Sequence, residues 1–257
     1  MSHPLLITGA ASGIGAAIAL EAAGRRLPLA LLDRDEPALA RVAEEAEASG
    51  APTAAAFPVD VTDAAALEAA LRAAVDAVGV PGGAVCSAGV DQGGPSHELP
   101  VAVWDRVIAV NLRGTFLACR TLAGILLEHG RTGAIVCVSS PFASVGAPGG
   151  TAAYSASKGG VSALVRSLAV EYARAGIRFN ALVPGATETP LMWASVADDE
   201  RERMRAVVEG EIPLGRMADP REPARAALWL LSEEAAYMTG AALVLDGGIL
   251  ARSSVSV

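Results

Sequence analysis

The sequence predicts a single α/β domain on one doubly wound parallel sheet, with helices on both faces. Three observations predict it. Short apolar runs alternate with longer amphipathic stretches from end to end, as strands linked by helical crossovers do. The short runs are apolar at successive positions, the mark of strands buried on both faces. A glycine-rich turn joins the first run to the first helix, and 257 residues suffice for one large domain of this kind.

The elements follow in order. Residues 5–8 (Leu-Leu-Ile-Thr) form the first strand, and the turn after them opens a helix over 14–23. Further strands are predicted over 29–32, 54–59, 83–87, 134–139, 178–183 and 242–245, and further helices over 37–49, 64–78, 101–128, 152–175 and 222–231. In 152–175 the recurrence of Val161, Leu164, Val165, Leu168 and Tyr172 is close to the helical period. The crossovers are right-handed by the chirality of βαβ units. No repeat, low-complexity segment or linker divides the chain. The irregular stretch 184–214 carries a charged run over 198–205. A solvated helix would explain the charges; the position directly after a strand end predicts a substrate lid at 189–214.

Composition narrows the function classes. A net charge of −8 argues against a nucleic-acid or anionic-membrane surface. No apolar run reaches the ~18 residues of a membrane span, and the stretch 5–8 is too short for a signal peptide. The three cysteines, odd in number and set in apolar segments, read as reduced core residues of a cytoplasmic protein. Three scattered histidines and the lack of a Cys/His cluster in the sequence predict no metal site.

Three features carry chemistry. The first strand runs into Thr8-Gly9-Ala10-Ala11-Ser12-Gly13-Ile14-Gly15. Glycines there permit positive φ and close backbone approach, and the free amides at the helix start suit a pyrophosphate. Asp33 ends the second strand, 24 residues past Gly9. A carboxylate there accepts bonds from adenosine ribose hydroxyls and repels a 2′-phosphate, which favours NAD over NADP; Arg34 beside it could pair with that phosphate. Thirdly, Lys158 is the one lysine among twenty basic residues, four positions after Tyr154. Residues i and i+4 share a helix face, and an ammonium beside a phenol is expected to lower a tyrosine pKa of about 10 toward general acid–base use. Arginine could not take that place, being a wide planar fork.

These motifs together resemble the short-chain dehydrogenase/reductase family, in its ~250-residue single-domain Rossmann branch, with a match from residue 4 to 248. Each motif is weak singly; the set is highly specific. The resemblance implies a cofactor cradle of Gly9, Ser12, Gly13, Ile14 and Gly15, with Asp60 and Val61 at the adenine and Ala88 and Gly89 where the backbone passes the cofactor. It implies that Pro184, Gly185, Thr187 and Thr189 contact the nicotinamide amide. Asn111 would hold a water of a proton relay, Ser140 would bond the reacting oxygen, and Tyr154 would move the proton. Lys158 would bond the nicotinamide ribose. Pro213-Leu214-Gly215-Arg216 and Asp246-Gly247-Gly248 match C-terminal signatures. The chain departs from the family twice. Cys86-Ser87-Ala88-Gly89 stands where Asn-Asn-Ala-Gly is usual, and Ser140 precedes Tyr154 by 14 residues where 13 is usual. The extra residue is assigned to the flexible Gly149-Gly150; Ser139 and Ser144 compete for the role of Ser140.

The expected activity is interconversion of a secondary alcohol and a ketone with NAD(H). A 3-oxoacyl-thioester reductase using NADPH is the alternative, disfavoured by Asp33 and the negative charge. A nucleotide-sensing regulator on the same fold would not need the proton-transfer set. Around the site, Asp91 and Gln92 are candidates for polar substrate contact, Met192 and Trp193 for pocket lining, and His97 reads as a surface residue. Trp104 and Trp229 read as helix–core packing. Excess apolar surface on the helix 152–175 and in 241–257 predicts a homotetramer, with a homodimer as fallback.

Overall fold

The computed structural model describes residues 3–146, 149–194 and 196–252. Its sheet is the one the sequence predicts. Strands β1 (Leu5–Thr8), β2 (Leu29–Asp33), β3 (Ala54–Pro58), β4 (Gly83–Cys86), β5 (Gly133–Val138), β6 (Ile177–Pro184) and β7 (Ala242–Leu245) lie parallel in the order β3-β2-β1-β4-β5-β6-β7. Alternate residues of the central strands feed two cores. Leu5, Ile7, Leu29, Leu31 and Val85 face a layer of α1 (Gly13–Ala23), α2 (Glu36–Ala48) and α8 (Arg221–Leu231). Leu6, Leu32, Cys86, Ile135 and Phe179 face α3 (Ala64–Val78), α5 (Thr115–Glu128) and α6 (Ala152–Tyr172). Both faces are covered, so the strands read as unbroken apolar runs. Each enclosed leucine contributes about 1.5–3 kcal/mol by leaving water.

Helix starts follow local chemistry. Asp35 caps α2 by accepting from Ala38 N, and Asp63 caps α3 by accepting from Ala65 N and Ala66 N. The strand order reverses between β1 and β4, so the loops after these two strands diverge and open a crevice at the carboxyl edge.

Three expectations need correction, and of the two readings of 184–214 the solvated helix is present. The predicted helix 101–128 is α4 (Val101–Ile108) and α5 joined through a π-helical turn, Ala109–Gly114, with Asn111 inside it. Although Val101–Glu128 is long and apolar enough to cross a membrane, most of its apolar window is buried within the fold. The stripe of α6 is covered by its own domain: Val161, Val165 and Leu168 are buried, Leu164 and Tyr172 pack beside them, and Val170 is what faces out. Trp104 is exposed on α4 rather than packed in the core, whereas Trp229 does pack against it. The stretch 184–214 contains a helix, α7 (Arg201–Glu211), none of whose residues is buried.

Candidate active site

The glycine turn sits at the carboxyl end of β1, packed so closely that side chains have no room. A Cβ on Gly9 would lie 2.5 Å from Ala88 N, and one on Gly15 would lie 2.0 Å from Gly9 O. Gly9 and Gly13 take positive φ of 69° and 54°. Ser12 starts α1 without using its hydroxyl as a cap, leaving the first-turn amides uncapped by it. Thr189 faces the turn from the other side, 3.3 Å from where a Cβ on Gly13 would be. This cradle fits a dinucleotide pyrophosphate, with amides and the helix dipole supplying positive potential.

Asp33 is held at the rim by two backbone donors, Ala11 N to Oδ2 at 3.1 Å and Asp35 N to Oδ1 at 3.0 Å. Asp60 is exposed, and the slight desolvation it suffers opposes its ionisation. Bonds from Thr62 N and Oγ1 and the charges of Arg34 and Arg106 nonetheless hold its carboxyl below the usual range. Arg34 thus acts on Asp60. Val61 is buried against the π-helical turn, where only a glycine at 114 fits: a Cβ there would come 2.7 Å from Val61 Cγ2.

Asn111 fixes the loop after β4. Its Oδ1 accepts from Val90 N at 2.8 Å, and its Nδ2 donates to Val90 O at 2.9 Å and Ser157 Oγ at 3.0 Å. Ala88 and Gly89 precede this clamp, and a Cβ on Gly89 would approach Lys158 Nζ to 3.6 Å. After β6, Gly185 passes so close to Asp246 that a Cβ would lie 2.6 Å from its Cα, with Pro184 directly before it ending the strand. Thr187 Oγ1 bonds Gly185 O at 3.0 Å. Asp246 ties the C-terminal turn by accepting from Gly248 N and Leu250 N, both at 2.8 Å.

Ser140, Tyr154 and Lys158 meet between the end of β5 and the first turns of α6. Ser140 is buried, with its hydroxyl against the phenol. Ser139 is spent elsewhere, on Lys158 O at 3.1 Å and Ser162 Oγ at 2.8 Å, so it does not compete. Ser144 lies beyond a 3₁₀ turn, Pro141–Ala143. Of the loop that carries the extra residue, Ala147 and Pro148 lie outside the described residues, while Gly149 and Gly150 take φ of 93° and 86°.

Lys158 Nζ stands 5.5 Å from the Tyr154 ring centroid and donates to Val138 O at 2.8 Å. The expected lowering of the tyrosine pKa is reversed. Burial pushes the phenol up to about 12, the Asp91 charge adds to it, and the Ser140 hydroxyl offsets only part. Burial also pulls Lys158 down to about 8, with Cys137 and Asp91 pulling the other way. One enclosed pocket penalises both charged forms, and the ammonium is turned to a carbonyl.

Other candidates separate clearly. His97 is exposed and stands 3.2 Å from Glu98. Trp193 is buried in a small cluster with Ile212 and Met217, with Met192 packed beside it, and donates Nε1 to Glu188 Oε1 at 2.7 Å. Arg205 joins the same carboxylate, Nη2 to Oε1 at 2.7 Å; Oε2, closed off from solvent, meets Nη1 as an ion pair without a hydrogen bond. Hydrogen bonds from Arg205, opposed by burial and helped by Trp193, hold Glu188 below the usual carboxylate range. Glu188, Thr189, Pro190, Trp193 and Arg201 line a cavity of about 470 Å³ beside the cofactor cradle. The fold also assembles a thiol cluster that sequence spacing does not show. Cys86 on β4, Cys119 on α5 and Cys137 on β5 are buried together, with Sγ separations of 3.9 Å (86–119) and 3.5 Å (119–137).

The sequence profile described as "Enoyl-(Acyl carrier protein) reductase" matches residues 9–250. The chain belongs to the short-chain dehydrogenase/reductase family. It is 39% identical, over 96% of both chains, to 2-(S)-hydroxypropyl-CoM dehydrogenase 3 of Xanthobacter autotrophicus. It is 41% identical to the galactitol 2-dehydrogenase (L-tagatose-forming) of Cereibacter sphaeroides, over 94% of this chain and 92% of that one. The solved structure of actinorhodin polyketide ketoreductase with NADPH superposes with a TM-score of 0.90 at 32% identity, covering 96% of this chain and 97% of that one. This member of the family is therefore an oxidoreductase that uses a nicotinamide cofactor.

Proposed function

We propose that this short-chain dehydrogenase/reductase interconverts a secondary alcohol and a ketone with NAD(H), with Tyr154 as the acid–base. The observation that carries the reading is the meeting of buried Ser140 and Lys158 with half-buried Tyr154 beside the glycine cradle. Gly9, Ser12, Gly13, Ile14 and Gly15 would seat the pyrophosphate, Asp60 and Val61 the adenine, and Ala88, Gly89, Pro184, Gly185, Thr187 and Thr189 the nicotinamide end. When bound, an oxidised nicotinamide supplies the hydride acceptor and a positive charge beside the phenol.

The chain's own residues do the rest. Ser140 hydrogen-bonds the reacting oxygen and stabilises charge as it develops. Tyr154 takes or gives the proton at that oxygen. Lys158, seated on Val138 O, would bond the ribose hydroxyls, and Asn111, which holds the loop, would also hold the water path to solvent. Residues 189–214 act as a lid, a reading supported by α7 being exposed, by Arg201 at its start lining the cavity after β6, and by Arg205 pinning it to Glu188.

Asp33 supports NAD over NADP, because Ala11 N and Asp35 N aim its carboxylate at the rim where a 2′-phosphate would sit. The two relatives are named as dehydrogenases, of 2-(S)-hydroxypropyl-CoM and of galactitol. A second reading, an NADPH-dependent 3-oxoacyl-thioester reductase, draws on the acyl-carrier-protein description of the matched profile and on the NADPH-bound neighbour. The reduced thiols fit a cytoplasmic setting. Exposed Trp104, Phe116 and Val170 on α4, α5 and α6 support a homotetramer, with a homodimer as fallback.

The test is absorbance at 340 nm with purified enzyme, NAD or NADP, and a panel of secondary alcohols, cyclic diols and sugars. NAD-dependent oxidation is the expected result. Turnover only of a 3-oxoacyl thioester with NADPH would overturn it in favour of the second reading.

A further inference from the structure

Asp91 acts on both Lys158 and Tyr154, and the proposed chemistry does not use it. It lies two residues beyond Gly89, whose Cα faces Lys158 Nζ, on a rim fixed at both ends. Val90 is clamped through its N–H and its carbonyl by Asn111. Gly94 N donates to Gly150 O at 3.0 Å, and a Cβ on Gly93 would come within 2.4 Å of that same oxygen. Asp91 is half-buried, and its carboxylate makes no hydrogen bond or ion pair with any described residue. Burial pushes its carboxyl up, with the Lys158 charge partly opposing.

A half-buried carboxylate without a donor is costly, because lost hydration is not replaced. It also works against the acid–base, since its charge makes the phenolate of Tyr154 harder to form. A group that harms both stability and proton transfer is explained if it acts on the substrate. Lys158 and an oxidised nicotinamide already place positive charge in the pocket, which disfavours a cationic substrate there. An anionic group beside the reacting carbon would meet Asp91 itself.

We infer that Asp91 is a specificity-determining residue that accepts a hydrogen bond from a second hydroxyl of a neutral diol or polyol substrate. The inference rests on the proposed alcohol dehydrogenase activity and names the substrate class of that site. A site built to bond a hydroxyl rejects the analogue lacking it far more strongly than an apolar pocket discriminates by size, because the polar group is then left unpaired.

The experiment compares cyclohexanol with cyclohexane-1,2-diol and cyclohexane-1,3-diol, using NAD and the full chain, for wild type, Asp91→Asn and Asp91→Ala. Wild type is expected to favour one of the diols by at least about tenfold in kcat/KM. Asp91→Ala should collapse that ratio, with the change in KM for the diol, and Asp91→Asn should keep part of it. In wild type the diol KM should rise as the pH falls and Asp91 takes up a proton. Lys158 and Tyr154, the titrating groups that face it, stay protonated over that range, so the cyclohexanol KM should not follow. Turnover of cyclohexanol with a diol ratio near one, or a ratio unchanged in Asp91→Ala, would overturn this inference and leave the alcohol dehydrogenase reading standing. No turnover of any of the three alcohols, with turnover of a 3-oxoacyl thioester and NADPH instead, would overturn both.

Discussion

The turn after β1 and the segment after β6 face the same crevice and are built in opposite ways. The first is made of backbone. Gly9 and Gly15 sit where any Cβ would strike main-chain atoms, and Asp33 is aimed by two main-chain donors. The second is made of side chains: α7 buries none of its residues and is tied down through Arg205 and Trp193 on one carboxylate, Glu188. A ligand common to many reactions can be held by main chain that tolerates no change. A ligand particular to one enzyme is met by side chains that can change without disturbing the sheet. Between the two stands the proposed catalytic pair, half-buried Tyr154 and buried Lys158, which depends on neither arrangement alone.

The largest effect should fall on that pair. Tyr154→Phe keeps the ring and removes the transferable proton, so kcat should drop by about 10²–10⁴-fold. NAD affinity, followed by fluorescence titration, should stay within a few-fold because the cradle lies elsewhere. Retention of more than about a tenth of kcat would show that another group moves the proton.

Lys158 sharpens the comparison from the side of stability. In the folded chain it releases its proton near pH 8, and in the unfolded chain near 10.5. Over that window the unfolded state binds more protons, so this group adds stability as the pH rises. At about 1.36 kcal/mol per pKa unit the change is on the order of 3 kcal/mol. Denaturation of wild type and Lys158→Met at pH 8 and 10.5 should therefore show the difference moving in favour of wild type. A difference that stays constant would mean that Lys158 is not held in a desolvating site.

On the backbone side, kcat/KM should favour NAD over NADP by at least about tenfold, or about 1.4 kcal/mol. Asp33→Ala should narrow that ratio while substrate KM holds. Equal use of NADP by the wild type would remove the reason for reading Asp33 as the selector.

The legibility of the chain follows the same division. Parallel strands covered on both faces announce themselves as apolar runs, and the glycines are visible because only one residue type fits their places. Tyr154 and Lys158 are four apart, so the helix alone brings them together. Their charge states were not legible, since burial is a property of everything packed around them and it reversed the expected tyrosine shift. The thiol cluster draws on β4, α5 and β5, too far apart in sequence for spacing to reveal it. The α6 stripe misled because amphipathicity says that a face is covered without saying by what; here the domain's own sheet covers it. Within α7, Arg201-Glu202-Arg203-Met204-Arg205 has no apolar period for pattern reading to find.

The smallest effect, and the one that tests the side-chain half of the comparison, belongs to Arg205. Its guanidinium lies 5.3 Å from the Trp193 ring and joins Glu188, so it links α7 to the loop that faces the cofactor cradle. Exposed ion pairs are worth little singly, and Arg205 is open to solvent, so the fold should survive Arg205→Ala unchanged. What should change is how tightly the lid segment is held. Limited trypsin digestion should cut faster after Arg201 and Arg203, and substrate KM should rise a few-fold as closing the lid becomes less favourable. NAD KM should barely move, because Gly9, Gly15 and Asp33 hold their positions without any contact from α7. A NAD KM that rises as much as the substrate KM would mean that the segment after β6 and the turn after β1 act as one unit, and the division between backbone and side-chain recognition would fall.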